Sequence, residues 1–408
     1  MPNSKTVEVH LDGATIISHI VRSIIGLQQE FVALNLLRNT TFYPILNTRM
    51  IMMEIFPQLG KYNHQQVVFC NDNSSGLKAI IAVHDTTLGP ALGGVRMWPY
   101  ATEEEALEDV LRLSRGMTYK ASVSGCNLGG GKSVIIGDPK TQKTDTLLRA
   151  MGRFIHSLGG KYICGQDIGT NSHDMAIIKQ ETPFVSCVHE KAGGPGDPSF
   201  ATAWGVKAGT QAILKAVYGS DSLTDRRIAI QGVGNVGYFV AKYCHEEGAK
   251  ITASDISEEA LKRASDEFRA EIVDQDDIYS VDCDVFSPCA FGAVVNDETI
   301  PKFKCKGIAG SANNVLAEDR HGVALQKRGI LYGPDYLVNS GGLIHCQEEV
   351  LGEVVKERVL EKVSRIYDQT LQVFKKAEEE GISTAEASDR IAEERIESIS
   401  EIKRIWAE

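Results

Sequence analysis

The chain has 408 residues, 43% of them hydrophobic and 24% charged, which is the composition of a globular protein with two or three domains. The formal net charge of -11, without any basic run, argues against a nucleic-acid-binding protein. No run of about eighteen apolar residues is present, so we expect no membrane-spanning helix.

Residues 1–52 carry apolar patches, and their basic residues are balanced by acidic ones. This balance fits neither a signal peptide nor a transit peptide. Because Met53 looks like a natural start for the remainder of the chain, we interpret residues 1–52 as an extension that is not essential. A chain that begins at Met53 is expected to fold and keep its activity, and failure of either would contradict this hypothesis.

Regular structure is predicted from Gln65 onward. Residues 67–70 and 77–83 predict a strand hairpin with its turn at 71–76. Residues 88–94 predict a loop interrupted by glycines.

A helix is then predicted from Thr102 to about Arg115. Thr102 is suited to cap it, and Glu105 stands at the reciprocal position of a capping box. Its buried face is expected to consist of Ala106, Leu107, Val110, Leu111 and Ser114.

The stretch Met117–Asp138 holds Lys120 and Lys132, with three glycines directly before the second lysine. The string GGGKS suggests a phosphate-binding P-loop, but Cys126 occupies the place of that motif's first glycine. A P-loop lysine also opens a helix, whereas residues 133–136 predict a short buried strand. Two interpretations stay open: the glycines bring the backbone close to a small ligand at which Lys132 is directed, or they form a structural turn beside a solvated lysine.

A helix over 144–158 and a strand over 161–164 come next, and the strand runs into Gly165 and Asp167. Functional residues of α/β proteins gather where strands end, which favours a working role for Asp167. As an isolated aspartate, it is equally compatible with a helix cap.

Residues 192–198 are the clearest break in composition and predict the domain boundary. Beyond it, a helix is predicted over 200–218 and a strand over 227–231, and the strand runs directly into GVGNVG at 232–237. A GxGxxG string between a strand and a helix indicates a dinucleotide site, although a glycine-rich turn without a nucleotide is the alternative.

Each glycine of this loop has its own expected role. Gly232 makes the tight turn, Gly234 lets the pyrophosphate approach the helix N-terminus, and Gly237 permits close helix–strand packing. Asp255, at the end of the next predicted strand, would accept hydrogen bonds from ribose hydroxyls and repel a 2′-phosphate. The sequence therefore favours NAD over NADP.

Three more strand units are predicted between residues 283 and 343, and their ends should line one crevice edge with the glycine loop. Asn313 is suited to hold a carboxamide such as that of nicotinamide, although paired asparagines are also common in turns. From about Ile344 the chain is predicted to be helical. Isoleucines recur every three residues from Ile396 to Ile405, a stripe that packs either across the domains or against another subunit.

The chemistry that these elements allow is narrow. No cluster has metal-ligand spacing, so no metal site is predicted, and nine scattered cysteines favour a reducing, cytoplasmic compartment. A partly desolvated lysine near a second cation has a lowered pKa and can act as a base. With NAD, a carboxylate anchor and a base, the sequence points to oxidative deamination of an amino acid.

Seven strings carry a family resemblance: GPALGG (89–94), RGMTYK and NLGGGK (within 115–132), Asp167-x-Gly169-Thr170, GVGNVG (232–237), PCA (288–290), AGSANN (309–314) and PDYLVNSGG (334–342). They closely resemble the dehydrogenases acting on leucine, phenylalanine and valine, distant relatives of glutamate dehydrogenase. The resemblance covers nearly the whole chain outside residues 1–52. It implies reversible deamination of an apolar L-amino acid to the 2-oxo acid, ammonia and NADH by a homo-oligomer, dimer to octamer.

The implied fold class is α/β with two domains and an active-site cleft between them. Residues 53–190 would form the substrate-binding and oligomerisation domain, completed by C-terminal helices at about 345–408. Residues 191–344 would form a Rossmann-type NAD-binding domain.

Position by position, the resemblance implies that Lys132 is the catalytic base that activates water and Asp167 the proton shuttle at the amino group. Lys120 would bind the substrate carboxylate. The other implied substrate-binding residues are Leu92, Gly93, Gly94, Gly165, Asn314, Leu343 and Cys346. The implied cofactor-binding residues are Thr202, Gly232, Val233, Gly234, Asn235, Val236, Gly237, Asp255, Cys289, Ala290, Ser311, Ala312 and Asn313.

The implied side-chain pocket favours phenylalanine or a broad apolar range. Leucine enzymes of the family usually have Ala and Val at the positions of Gly165 and Leu343, and phenylalanine enzymes usually have Gly and Leu, as here. Because residues 117–132 resemble the leucine enzymes more, a leucine dehydrogenase is the alternative. Gln166, His345 and Cys346 depart from both patterns.

Two rival functions are weaker. A regulatory protein that binds NAD without catalysis would not need Lys120, Lys132 and Asp167, and all three are present. A 2-hydroxy-acid dehydrogenase would need a His–acid pair and an arginine clamp instead.

Overall fold

The computed structural model describes residues 55–352 and 354–402, so the interpretation of residues 1–52 lies outside the described part. The strands are β1 (Gln66–Asp72), β2 (Leu77–Asp85), β3 (Ala91–Trp98), β4 (Gly129–Ile136), β5 (Tyr162–Gln166), β6 (Arg227–Gln231), β7 (Lys250–Ser254), β8 (Glu271–Ile272), β9 (Val285–Pro288), β10 (Gly307–Ile308) and β11 (Leu331–Tyr332). The helices are α1 (Ile55–Tyr62), α2 (Glu103–Val123), α3 (Asp145–His156), α4 (Ser172–Ile178), α5 (Ser199–Tyr218), α6 (Asn235–Glu246), α7 (Glu258–Phe268), α8 (Arg320–Lys327), α9 (Asp335–Val338), α10 (Gly341–Val350), α11 (Lys356–Ser364), α12 (Ile366–Glu380) and α13 (Thr384–Ile402). Within the described residues, none of these helices has the length and apolar character needed to cross a membrane.

The first sheet has the strand order β1-β2-β4-β3-β5. β1 and β2 pair antiparallel, which confirms the predicted hairpin, and β3 runs parallel to both of its neighbours. The predicted loop at residues 88–94 was wrong from Ala91 onward, because β3 begins there. Pairing on both edges, to β4 and to β5, satisfies the backbone of this strand and outweighs the turn preference of its glycines.

The helix α2 crosses this sheet and is longer than predicted, since it ends at Val123. Thr102 caps it by accepting the Glu105 N–H at 3.1 Å, while the Glu105 carboxylate accepts from Ala101 rather than from Thr102. Lys120 therefore lies in the last turn of a long helix. The predicted face is buried as expected: Ala106, Leu107, Val110, Leu111 and Ser114.

The second sheet has the order β11-β10-β9-β6-β7-β8, and all of its pairings are parallel. Its strand ends at Gln231, Ser254, Pro288 and Ile308 lie along one edge, as the sequence predicted. The strand order reverses between β6 and β9, and a doubly wound sheet binds ligands in the crevice at such a point.

The C-terminal helix α13 returns to the first sheet and packs on α2. The Ser122 hydroxyl donates to the Ala392 carbonyl at 2.7 Å, and the Arg395 guanidinium donates to the carbonyls of Ser122 and Cys126 at 3.0 and 2.8 Å. A cation at a helix C-terminus satisfies carbonyls that have no partner within the helix. The isoleucine stripe is only partly covered within the described chain, since the side chain of Ile402 is 58% exposed.

Candidate active site

Lys132 and Asp167 come from opposite sides of β3 in the first sheet and meet in a buried ion pair. Lys132 is in β4 and is 6% exposed, and its Nζ lies 3.1 Å from Oδ2 of Asp167, which is the residue directly after β5. Arg96, in β3, donates from Nε to the same oxygen at 2.8 Å. Burial pushes the pKa of Asp167 upward, but the charges of Lys132 and Arg96 outweigh it and lower the pKa below its usual value.

A second carboxylate holds Arg96 in place. Asp109, on α2, accepts from Arg96 at 2.8 Å and from the Tyr100 hydroxyl at 2.7 Å through Oδ2, and from Arg112 at 3.0 Å through Oδ1. Burial opposes ionisation of Asp109, yet these donors lower its pKa. Arg96 therefore joins Asp167 to Asp109 in a hydrogen-bonded network that connects the sheet with α2.

The side chain of Asn339 bridges Lys120 and the loop that follows β10 in the second sheet. The Lys120 Nζ donates to Asn339 Oδ1 at 2.5 Å. The Asn339 amide nitrogen lies 3.2 Å from the Ser311 carbonyl, 3.3 Å from that of Ala312 and 2.9 Å from Asn313 Oδ1. Burial lowers the pKa of Lys120 to about 8; the nearby Asp335 charge opposes this and that of Lys132 adds to it.

The three glycines before Lys132 face protein atoms. A Cβ on Gly129 would overlap the Asp85 carbonyl, one on Gly130 would overlap Thr118 of α2, and one on Gly131 would lie 2.6 Å from the Tyr162 ring. The glycines are therefore structural, which argues against the close approach to a ligand. The solvated lysine of the other interpretation was wrong, because Lys132 is buried and paired with Asp167.

Gly93 and Gly94 bring β3 close to the same site. A Cβ on Gly93 would overlap the Gly131 carbonyl, and one on Gly94 would lie 2.7 Å from Cβ of Asp167. Tyr162 donates to the Gly93 carbonyl at 2.7 Å and fixes it. Both glycines are thus needed for the strands to bring Lys132 and Asp167 together.

An apolar cluster beside these groups contains Leu92, Leu343 and Cys346, together with Cys187. Gly165 closes one side, since a Cβ placed on it would lie 3.2 Å from Ser186 Oγ and 3.4 Å from Cys187 Sγ. These residues are the candidates for the wall around a substrate side chain. Cys187 borders the space that the missing methyl at Gly165 leaves.

The glycine loop at 232–237 has the backbone geometry expected from its sequence. Gly232 has φ +90°, a Cβ on Gly237 would overlap the Gly232 carbonyl, and a Cβ on Gly234 would meet nothing within 4 Å. The open side at Gly234 faces the N-terminus of α6, which begins at Asn235 and includes Val236. A phosphate fits such a position because unpaired N–H groups point outward there.

Asp255 holds this loop through its carboxylate. Its Oδ2 accepts the Val233 N–H at 2.7 Å, and its Oδ1 accepts the Ser257 N–H at 2.9 Å. Across the crevice, Cys289 donates its N–H to the Gln231 carbonyl at 2.7 Å, and Ala290 packs against Gly232. The structure thus places these cofactor candidates on both sides of the strand reversal.

The remaining candidates lie along the same edge. Thr202 is in the first turn of α5, with its hydroxyl 2.8 Å from the position that a Cβ on Gly342 would take. Asn314 has φ +51°, and its side-chain oxygen accepts from Arg112 of α2 at 3.4 Å. Ser311, Ala312 and Asn313 are tied to this edge by Asn339.

The structure brings four residues that were not predicted next to the candidate residues: Arg96, Asp109, Asn339 and Cys187. Asn339 lies within the string PDYLVNSGG, so the sequence did mark its neighbourhood. Arg96 was hidden because the strand that carries it was not predicted, and nothing in the sequence links Asp109 or Cys187 to the site.

Comparison with known families places both halves of the chain. The model for the Glu/Leu/Phe/Val dehydrogenase dimerisation domain matches residues 64–184, and that for Glutamate/Leucine/Phenylalanine/Valine dehydrogenase matches 193–258 and 255–403. The chain belongs to the Glu/Leu/Phe/Val dehydrogenase family.

Within this family, the chain is similar to enzymes of two specificities. It is 53% identical over 347 residues to leucine dehydrogenase of Geobacillus stearothermophilus, covering 85% of this chain and 94% of that protein. It is 50% identical over 351 residues to phenylalanine dehydrogenase of Bacillus thermotolerans, covering 85% and 92%. The protein is thus an amino-acid dehydrogenase, an oxidoreductase acting on CH–NH2 groups, and its family implies a nicotinamide cofactor.

The fold agrees with solved structures of two other dehydrogenases. The L-tryptophan dehydrogenase of Nostoc punctiforme superimposes with a TM-score of 0.76 at 42% identity, covering 85% of this chain and all of that one. The hetero-hexameric glutamate dehydrogenase of Thermus thermophilus, at 22% identity, superimposes with a TM-score of 0.68 over 84% of this chain and 91% of its own, which shows a shared fold. The two-domain α/β class predicted from the sequence is confirmed.

Proposed function

We propose that this protein catalyses the NAD-dependent, reversible oxidative deamination of apolar L-amino acids, with phenylalanine or a broad aromatic and aliphatic range preferred. The observation that carries the proposal is the buried contact of Lys132 Nζ with Asp167 Oδ2 at 3.1 Å, beside a second lysine and an apolar cluster. A carboxylate anchor, a base, a proton carrier and an apolar pocket are the groups that this reaction requires.

Each charged side chain has a distinct part in the mechanism. The Lys120 ammonium binds the substrate carboxylate and sets the α-carbon in the cleft. Lys132, once deprotonated, takes a proton from the water that attacks the imino carbon. Asp167 carries a proton to the amino group, so that ammonia leaves as the carbonyl forms, and Arg96 positions its carboxylate by donating to Oδ2 at 2.8 Å.

The glycine loop is the proposed NAD site. Gly234 leaves space at the N-terminus of α6 for a pyrophosphate, and Asp255 places a carboxylate where a 2′-phosphate would be repelled. When bound there, NAD supplies the hydride acceptor. Asn339 holds residues 311–313 beside Lys120, so the cofactor edge and the carboxylate anchor are aligned by one side chain.

The preference among apolar substrates depends on the wall formed by Gly165 and Leu343. Gly165 supports an aromatic substrate because it carries no methyl group. A leucine dehydrogenase with the same mechanism is the second candidate, supported by the Cys187 sulfur, which lies 3.4 Å from the Cβ position of Gly165 and bounds that side of the pocket. One methyl group in such a pocket is worth only about 1–3 kcal/mol, so overlapping specificity is expected.

The test is NADH formation at alkaline pH with L-phenylalanine, L-leucine, L-valine, L-tryptophan and L-glutamate, repeated with NADP. We expect turnover with NAD and the apolar substrates, and much less with glutamate. No turnover with any of the five would refute the proposal, and a clear preference for leucine would establish the second candidate.

We further propose a homo-oligomer assembled through the N-terminal domain, residues 53–190, in the cytoplasm. The family name for residues 64–184, a dimerisation domain, supports this, and Phe69 on the edge strand β1 is 51% exposed. The nine cysteines are all free thiols, which suits a reducing compartment. Light scattering that found a monomer would contradict the assembly.

A further inference from the structure

Cys187, Cys346 and Glu349 form a compact group of metal-binding side chains in the wall of the candidate pocket. The two sulfurs lie 3.0 Å apart, and the ligand atoms of all three residues lie within 4.8 Å of one another. Both cysteines are buried, at 7% and 5% exposure, and Glu349 is half-buried. The mechanism proposed above uses none of these side chains for chemistry.

Three features of the chain hold this group in place. Ser186 donates its N–H to the Cys164 carbonyl at 2.7 Å, which anchors the segment before Cys187 on β5. Cys187 itself has φ +61°, a strained value for a residue with a side chain, and its N–H donates to Glu349 Oε2 at 2.7 Å. Cys346 lies on α10, one turn after Leu343 and one turn before Glu349.

We propose that Cys187, Cys346 and Glu349 bind a thiophilic divalent cation, with zinc as the physiological ion. Two thiolates and a carboxylate supply three of the four tetrahedral zinc ligands, which leaves the fourth position to water or to a substrate group. Zinc–sulfur bonds of about 2.3 Å separate two sulfurs by roughly 3.7 Å in a tetrahedral site, so Cys346 must move by less than about 1 Å.

The charges around the group suit a cation. Among the described residues, the Glu349 carboxylate forms no ion pair, whereas its neighbour Glu348 is already paired with Arg358 and Lys362.

A second group of possible metal ligands consists of Asp297, Glu318 and His321. Within the described chain, its carboxylates, unlike that of Glu349, are already in ion pairs. The Arg320 guanidinium donates to Asp297 at 2.8 Å and to Glu318 at 2.9 Å, so a cation already occupies both carboxylates. This contrast singles out the cysteine group.

A metal ion here would act on the pocket itself. Cys187 Sγ lies 3.4 Å from the Cβ position of Gly165, and Cys346 belongs to the same cluster as Leu343. An ion between the sulfurs would narrow the space for the substrate side chain. We therefore expect zinc to inhibit competitively with the amino acid, a part of the proposal that rests on the proposed function.

The test separates binding from activity. The full-length protein is stripped with chelator, kept in a phosphine reductant and titrated with Cd2+, while the thiolate-to-metal charge-transfer band is followed and the stoichiometry is checked with Zn2+ by equilibrium dialysis. One equivalent per chain is expected, with weaker binding in Cys346→Ala and Glu349→Gln. The loss should exceed the roughly 10–100-fold that removal of an outer-shell partner costs.

Cys283→Ala is the matched control, because Cys283 also interacts with a buried cysteine, Cys305, but belongs to no such three-ligand group among the described residues. It should bind Cd2+ like the original chain. Absence of binding, equal loss in the control, or a Cys187–Cys346 disulfide in place of the metal would overturn the proposal. Because the Cd2+ readout needs no substrate, a chain inactive on every amino acid would refute the proposed function and leave the metal site standing.

Discussion

Lys132 and Arg96 approach the same oxygen, Oδ2 of Asp167, at 3.1 and 2.8 Å. Two cations therefore share one carboxylate oxygen inside a largely buried site. This arrangement fixes the orientation of the carboxylate. The role of Lys132 as the base and the effect of Arg96 on the pKa of Asp167 can then be tested by separate substitutions.

Replacing Lys132 with Ala should abolish turnover while the protein still folds, because Asp167 keeps Arg96 as its partner. The expected loss in kcat is at least the roughly 10²–10⁴-fold that a positioned base contributes. Steady-state kinetics with circular dichroism as the folding check measures both. Lys140→Ala, an exposed lysine in the loop after β4, is the control and should leave kcat unchanged; appreciable activity in Lys132→Ala would refute the assigned role.

Replacing Arg96 with Gln should move the acid limb of the kcat/KM profile to higher pH. The Arg96 charge helps to lower the pKa of Asp167, so its removal raises that pKa and protonates the carboxylate earlier as pH falls. Arg112→Gln is the control, because Arg112 contacts Asp109 but not Asp167. If Arg96→Gln lowers kcat equally at every pH, Arg96 has no electrostatic effect on Asp167.

The affinity of the free enzyme for the amino-acid carboxylate should weaken above pH 8. Burial lowers the pKa of Lys120 to about 8, so the ammonium charge is present below that pH and is lost as pH rises through it. Lys120→Arg keeps its charge and should remove this limb from kcat/KM, even if the overall value falls. A limb that survives in Lys120→Arg would have to come from another group.

Gly165→Ala should shift specificity away from phenylalanine and toward leucine. The added methyl would lie 3.2 Å from Ser186 Oγ and 3.4 Å from Cys187 Sγ, so it enters a space already bounded on one side. We expect the ratio of kcat/KM for phenylalanine over leucine to fall by about tenfold or more, the effect of one methyl in a pocket. Gly137→Ala tests a glycine outside the pocket, and an unchanged ratio in Gly165→Ala would remove this residue from the specificity argument.

The free energy of unfolding should decrease in mild acid because of His64, which lies two residues before β1. Its ring accepts or donates a bond to Ser114 Oγ at 2.8 Å and lies 4.8 Å from the His84 ring. Burial, aided by the His84 charge, lowers the pKa of His64 to about 4 from an unfolded value near 6.5.

The unfolded chain therefore binds the proton more readily between pH 6.5 and 4, and stability is lost as pH falls through that window. The slope from one such group is at most about 1.4 kcal/mol per pH unit. Urea unfolding at several pH values should show a shallower slope in His64→Gln, and a slope equal to that of the original chain would show that other groups control the acid response.

The sequence predicted most of the fold because its helices and strands have clear periodicities. The hairpin, the helix at 144–158 and the parallel units after residue 227 all correspond to observed elements. β3 was mistaken for a loop at Ala91–Gly94, since its glycines are explained by neighbours that come from distant parts of the chain: the Gly131 carbonyl and the Asp167 side chain. No local pattern contains that information.

Candidate site residues could be named where family motifs mark them, and their neighbours were missed where only tertiary contact connects them. Lys120, Lys132, Asp167 and the glycine loop stand in recognisable strings. Cys187 is positioned by the hydrogen bond from its backbone N–H to the carboxylate of Glu349, 162 positions away in the chain. This contact depends on how α10 packs against the first sheet, which no local sequence pattern shows.

The side chain of Asn339 connects the proposed carboxylate anchor, Lys120, with the proposed cofactor loop at 311–313. Its oxygen accepts from Lys120 while its nitrogen faces the loop at 311–313, so one amide is shared by two partners. If Lys120 binds the substrate carboxylate as proposed, the carboxylate competes with Asn339 for the ammonium, and we expect the loop at 311–313 to respond. The affinities for the two ligands are then thermodynamically linked, and each must alter the other by the same factor. Arg112 of α2 also donates to Asn314 at 3.4 Å, so we expect any such cooperativity to depend on Asn339 together with this second link.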